Sequence, residues 1–169
     1  RFLFSQGLEG WDDTLNSSQQ KSNLNSKANF STYKLDLSRQ QYIGNDGVVL
    51  EFNASGQVAS APLPTPEKFS FGGPEYGRGF SNSHIFGDAG WSSSVQLSKN
   101  IYSKNGKSIT PFVWYDYGST DDLTGETREL SASTYGIGIG GNFNRDTTYE
   151  ISVAVPGTDD STPAKTGLD

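Results

Sequence analysis

The residue best suited to directional chemistry is Arg78, which stands between Gly77 and Gly79 and is followed by Phe80. Glycine on both sides lets the backbone approach another surface closely. A guanidinium is planar, stays charged and can bind a carboxylate through two parallel hydrogen bonds. The pattern therefore predicts a loop that carries one guanidinium into a crowded polar site, and a solvated glycine-rich loop is the alternative interpretation.

A carboxylate that could receive this guanidinium lies in residues 111–118. Successive side chains of a strand point to opposite faces, so Trp114, Asp116 and Gly118 share one face and the intervening tyrosines share the other. The tyrosine face suits lipid and the membrane interface. A charge on the opposite face needs a partner, and we predict that Asp116 pairs with Arg78.

Catalytic and cofactor chemistry has little support in the sequence. No arrangement of serine, histidine and acid has the context of an activated nucleophile, and no phosphate-binding loop is present. We therefore predict that the protein is not an enzyme and needs no cofactor. The net charge of −6 and the lack of clustered lysine and arginine argue against a nucleic-acid partner, and no pattern indicates a small-molecule substrate.

Metal binding is not predicted either. The single histidine, His84, has no cysteine or acid at ligand spacing, so we assign it to a loop or strand edge. The pairs Asp12-Asp13, Asp121-Asp122 and Asp159-Asp160 lack the alternating oxygen ligands and fixed glycine of a calcium loop. We expect these acids to be solvated in outer loops.

The elements that must position these residues are β-strands. Glycine supplies 20 residues and aromatic side chains 12% of the chain, which favours an all-β fold. Apolar and polar residues alternate, most clearly where Tyr149, Ile151, Val153 and Val155 are separated by polar or small residues. The predicted strands are 1–9, 29–42, 47–60, 85–103, 108–117, 129–142 and 147–155. Several reach the roughly 9 to 11 residues that a membrane-spanning strand needs.

The predicted connections alternate between long and short. The short ones contain turn dipeptides such as Asp46-Gly47 and Asn105-Gly106, or a polar bend at residues 143–146. The long ones are residues 10–28, 61–84 and 118–128. Outer-membrane barrels have short turns on one side and long loops on the other, so the pattern predicts an antiparallel transmembrane β-barrel. The glycines of residues 136–141 are expected to be small inward-facing positions of a strand.

The order of several short motifs carries a resemblance to a known family. Residues 63–73 precede three motifs, which are Gly77-Arg78-Gly79-Phe80, Gly87-Asp88-Ala89-Gly90 and Trp114-Tyr115-Asp116-Tyr117-Gly118. Ser5-Gln6-Gly7-Leu8 is similar to an early barrel strand. In this combination the chain resembles the two-partner-secretion transporters of the haemolysin-activator and filamentous-haemagglutinin-exporter type, within the superfamily of POTRA-bearing outer-membrane barrels. Gly77 stands where valine is usual and Trp114 where phenylalanine is usual.

The resemblance implies a pore in the bacterial outer membrane that exports a secreted partner protein and contacts membrane lipid. It implies that the loop at 61–84 enters the lumen, where Arg78 would pair with Asp116 and act as a latch. We expect residues 1–169 to be the C-terminal part of the translocator barrel, with the POTRA domains and the last strand absent. Two alternatives stay open: an insertase of the same superfamily, and a soluble β-sandwich whose exposed Trp11, Trp91 and Trp114 bind a ligand.

Overall fold

The computed structural model describes residues 1–7, 29–123 and 129–161, and these residues are almost entirely antiparallel β-structure. One short 3-10 helix spans Thr65–Glu67. The predicted all-β fold is confirmed. The strands are β1 Phe2–Gln6, β2 Ser31–Ile43, β3 Val48–Ala59, β4 Phe69–Phe71, β5 Ile85–Gly87, β6 Ala89–Lys99, β7 Tyr102–Lys104, β8 Lys107–Asp121, β9 Leu130–Asn142 and β10 Thr148–Asp159.

One large sheet contains most of these strands in the order β1-β2-β3-β6-β8-β9-β10, and β7 pairs with β8 beside it. Every neighbouring pair is antiparallel. Strands β4 and β5 form a separate two-stranded sheet within the long segment that joins β3 to β6. The large sheet is therefore an up-and-down meander in which long and short connections fall at opposite ends.

The two faces of the large sheet differ in polarity because side chains alternate along each strand. The outer face carries exposed apolar residues, among them Leu35, Val95, Tyr115, Ile137, Ile151 and Val153. The inner face, defined here as the face covered by residues 61–84, carries polar or small residues, among them Asp36, Ser55, Ser94, Gln96, Asp116 and Thr134. Ile151 and Val153 each expose 68% of their surface, so the outer face is an apolar surface without a covering layer in the described residues.

The short connections use the predicted turn chemistry. Asn105 and Gly106 have φ of 54° and 75°, which fits the tight hairpin expected for this dipeptide. In the preceding hairpin the positive φ values belong to Gly44 and Gly47, at 64° and 70°. In the last one, the Asp146 backbone N–H donates to the Asn144 side chain at 2.8 Å. These turns set the pairing of the long strands on either side of them.

Several predicted boundaries were wrong. Strand β8 continues through Gly118 to Asp121, and β10 continues through Pro156 to Asp159, where loops were expected. The predicted strand 85–103 is divided into β5, β6 and β7, with breaks at Asp88 and at residues 100–101. Alternation does not locate such breaks, since a strand can leave and rejoin a sheet without changing its period of two.

Some predictions fall on residues outside the described ranges, namely Leu8 and the whole predicted connection 10–28, which includes Trp11 and Asp12-Asp13. Residues 124–128 and 162–169 are also outside them. Within the described ranges, no helix has the length and apolar character to cross a membrane.

Candidate functional site

Residues 61–84 fold back over the inner face and bury an apolar cluster against it. Phe71 is fully buried and packs with Ile85 and Ala132, and the half-buried Phe80 lies beside them. The rings of Phe71 and Phe80 meet edge to face at 6.4 Å. Burying a phenylalanine side chain stabilises a fold by roughly 1.5–3 kcal/mol. The loop is therefore packed onto the wall through its own aromatic side chains, besides its polar contacts.

Gly118 on β8 leaves the space that the Phe71 ring occupies. A Cβ atom at Gly118 would lie 2.3 Å from Cδ2 of Phe71 and 2.9 Å from its Cβ. No side chain at that position is compatible with the observed place of the Phe71 ring. The glycine at the end of the Trp114-to-Gly118 motif thus lets the loop lie directly on β8.

The loop reaches this position through glycines with unusual backbone angles. Gly72, Gly73 and Gly77 have φ of 122°, 115° and 82°, a region that other residues rarely adopt. A Cβ at Gly77 would also lie 2.8 Å from Cε1 of Phe71. This explains why glycine stands where valine was expected from the resemblance. Gly79 has ordinary backbone angles, and its role is a close approach instead.

The structure brings Arg78 and Asp116 into direct contact. The Arg78 Nε atom donates to Oδ2 of Asp116 at 3.1 Å, and Nη2 donates to Oδ1 at 3.0 Å. The Asp116 side chain is fully buried and that of Arg78 is 18% exposed. Such a two-point contact fixes the orientation of both groups as well as their distance.

Asp116 also binds the backbone of the loop. Its Oδ2 atom accepts hydrogen bonds from the backbone N–H groups of Gly77 at 3.1 Å and Arg78 at 3.2 Å. The Thr134 hydroxyl on β9 donates to the same oxygen at 3.4 Å. One carboxylate therefore holds the loop through its main chain and through its guanidinium, whereas the Arg78 side chain makes none of the main-chain contacts.

Three further residues complete the guanidinium site, and two of them, Ser94 and Gln96, were not predicted from the sequence. Arg78 Nη1 donates to Gln96 Oε1 at 2.7 Å, and Nη2 donates to Ser94 Oγ at 3.2 Å. The Arg78 Cζ atom lies 4.4 Å from the ring centre of Trp114, a cation–π contact. The alternation of β6 places Ser94 and Gln96 on the inner face, but many polar residues share that face, so only the structure singles them out.

The base of the loop is held by a second buried acid, Asp88, which belongs to the Gly87-to-Gly90 motif. Asp88 is fully buried and accepts hydrogen bonds from the backbone N–H groups of Leu63 and Leu123, both at 2.8 Å. Lys68 Nζ lies 3.6 Å from Asp88 and 2.9 Å from Asp122. Asp88 thus joins the start of the loop, its exit and the connection after β8. The expectation that Asp122 is solvated was wrong.

The electrostatics of these loop residues follow from burial. Burial raises the pKa of the Asp88 carboxyl above its ordinary value, and the neighbouring Asp122 raises it further, while its backbone donors lower it. Burial also raises the pKa of the Tyr76 hydroxyl, with smaller contributions from the acids around it, Glu75 first. The phenol of Tyr76 therefore stays neutral.

A third contact fixes the far end of the loop. His84 stacks on Phe80 with ring centres 4.1 Å apart, and its Nε2 lies 3.0 Å from Asp159 Oδ2 and 3.1 Å from Ser161 Oγ. No contact was predicted for His84, and the prediction that Asp159 is solvated was wrong, since its side chain is only 19% exposed. Their separation by 75 residues leaves no local sequence signal for the pair.

No three His, Asp or Glu side chains within residues 1–7, 29–123 and 129–161 are grouped so that they could hold a metal ion. The arrangement instead consists of directional hydrogen bonds and packing between one loop and one wall. Contacts of these kinds hold a protein segment in place without a covalent bond.

The family of the chain follows from a sequence comparison. Residues 1–143 match the model of the family described as Haemolysin secretion/activation protein ShlB/FhaC/HecB. The chain belongs to this family. Its members are two-partner-secretion transporters of the bacterial outer membrane, and the family is one of transporters and not of known enzymes. No curated protein and no solved structure matches the chain.

A sheet with one polar and one exposed apolar face fits membership of this outer-membrane family better than it fits a soluble β-sandwich. A sandwich would pack its apolar face on a second sheet, whereas the apolar face here is exposed in the described residues. Trp114, one of the tryptophans expected in that alternative to be an exposed platform, is only 4% exposed and lies beneath Arg78. Trp91 is half exposed on the outer face.

Proposed function

We propose that this chain forms part of the wall of the pore through which a haemolysin-type or adhesin-type partner protein leaves the cell. In this proposal the inner face lines the lumen and residues 61–84 lie within it. Arg78 and Asp116 fasten that loop to the wall and so set the free cross-section of the pore. The family exports a secreted partner protein, and the proposal assigns that activity to this wall and this loop.

The observation that carries the proposal is the contact set around Arg78. The guanidinium and the adjacent backbone N–H groups donate to residues on β6 and β8, which are neighbouring strands of one wall. A solvated loop would have no reason to place its only arginine on a fully buried acid. The site therefore supports a loop with a defined resting place on the inner face.

The outer face supports the membrane part of the proposal. Its apolar side chains are exposed along β2, β6, β8, β9 and β10, and lipid is the medium in which such a band is stable. The inner face is polar and suits an aqueous path. We propose that outer-membrane lipid covers the outer face.

Loss of the protein should have different consequences if it is an exporter than if it is an insertase of the same superfamily. In cells lacking the full-length transporter, we expect the partner protein to disappear from the medium, while unrelated outer-membrane barrels keep their normal abundance. Quantitative immunoblots of medium and outer-membrane fractions give both values, and re-expression of the transporter is the control. A general fall in unrelated barrels would favour the insertase instead.

A further inference from the structure

A row of three glycines on the inner face of β9 lies beside the aromatic residues of β8. Gly136 pairs with Trp114 and Gly138 with Phe112 across the two strands. The two rings are tilted by 38° with their centres 5.6 Å apart. The third glycine, Gly140, faces inward in the same row, and a Cβ there would lie 3.7 Å from Cε1 of Phe112, an ordinary contact distance.

The space above each glycine distinguishes the three positions. A Cβ at Gly136 would lie 2.3 Å from Cζ2 and 2.4 Å from Cη2 of Trp114. At Gly138 it would lie 2.4 Å from Cζ of Phe112. At Gly140 the nearest atom would be a backbone oxygen at 3.4 Å, which is ordinary contact. The rings of β8 therefore occupy the space where side chains of residues 136 and 138 would lie, whereas Gly140 has room for a methyl group.

The ring above Gly136 is also the ring beneath Arg78. The guanidinium carbon lies 4.4 Å from the Trp114 ring centre, while the guanidinium edge binds Asp116. The indole therefore has Gly136 as a neighbour on one side and the guanidinium on another. A shift of the ring would displace Arg78 from the geometry that its two-point contact with Asp116 requires.

We propose that Gly136 is a positioning residue for the loop: its missing side chain lets the Trp114 ring lie against β9, where it seats Arg78 opposite Asp116. The proposal rests on the function proposed above for the Arg78 loop. It assigns the glycine row of β9 a task in loop attachment, beyond that of small residues lining a pore.

The test replaces Gly136 by alanine in the full-length transporter and measures export of the partner protein. The added Cβ must displace both the indole and the backbone oxygen of Val153, which is also 2.3 Å away. We expect export to fall roughly tenfold, the scale of overpacking by one methyl group. Gly140→Ala is the matched control, on the same strand and the same face, and should export normally.

A second variant separates movement of the ring from damage to the sheet. In Gly136→Ala combined with Trp114→Phe, the smaller ring lacks the indole atoms that the new methyl group would meet. Export should then recover part of the way to the level of Trp114→Phe alone, since the Val153 backbone oxygen still lies close to the added methyl group. Should the double variant stay as defective as Gly136→Ala, the clash with the β10 backbone would be responsible and the positioning role would be refuted.

The outcomes also separate this inference from the proposed function. Normal export by Arg78→Ala would overturn the proposed role of the loop, and this inference with it. A defective Arg78→Ala together with equal export by Gly136→Ala and Gly140→Ala would overturn only the role of Gly136. A Gly136→Ala defect that Trp114→Phe corrects in part supports both.

Discussion

Replacing Asp116 by alanine in the full-length transporter should reduce export of the partner protein more than replacing Arg78 does. Asp116 accepts two backbone N–H groups of the loop and two guanidinium hydrogen bonds. Arg78→Ala leaves both backbone contacts possible. Removing one partner of a buried ion pair costs roughly 3 to 5 kcal/mol, which corresponds to a loss of about 100-fold or more in the attached loop. Secretion measured in the medium shows both effects.

The double variant tests whether the two residues act as a unit. Arg78→Ala combined with Asp116→Ala should export as much as Asp116→Ala alone, because the arginine has lost its main partner already. Arg78→Lys should be intermediate, since an ammonium group cannot make the two parallel hydrogen bonds of a guanidinium. Defects that multiply independently in the double variant would show that the loop does not act through Asp116.

Replacing Asp88 by alanine should release the base of the loop. The change removes the acceptor of the buried Leu63 N–H group and of the partly buried Leu123 N–H group, and an unpaired buried donor costs roughly 1 to 3 kcal/mol. Lys68, whose side chain is 5% exposed, would lose one of its two acids. Tryptic cleavage after Lys68 in the folded transporter should then be about 100-fold faster, as followed by mass spectrometry of the fragments.

Two controls belong to the proteolysis experiment. Asp46→Ala changes an exposed acid in a short connection and should leave cleavage after Lys68 unchanged. Cleavage after the exposed Arg145, in another short connection, reports on the wall itself and should be equal in all variants. Equal protection of Lys68 in wild type and Asp88→Ala would contradict the anchoring role of Asp88.

Most strands, and the face of the sheet on which their side chains lie, could be predicted from the sequence. Period-two alternation predicts that Asp116 and Tyr115 face opposite sides, and the structure shows Asp116 buried and Tyr115 half exposed. Glycines around one arginine predict a close approach, and Gly77 and Gly79 both make one. These features are local, because each depends on residues within a few positions along the chain.

The remaining contacts could not be predicted from the sequence because they join segments that are far apart in it. Nothing near Lys68 indicates Asp122, 54 residues away, and nothing near His84 indicates Asp159. Strand β4 lies in a segment that was predicted to be a loop, since a three-residue strand is too short to show alternation. Likewise, Gln96 differs from other inner-face amides only in its distance from Arg78.

A disulfide between the loop and the wall would show directly whether residues 61–84 are attached to the inner face. A Cβ at Gly79 would lie 3.2 Å from Cβ of Thr134, close to the roughly 3.5 to 4.5 Å that disulfides span, and the 169 residues contain no cysteine of their own. In the full-length transporter, Gly79→Cys with Thr134→Cys should form the disulfide in intact cells. Gly79→Cys with Tyr135→Cys, which places the second thiol on the outer face, should not. No disulfide with residue 134, or equal yields with both, would contradict a loop attached to the inner face.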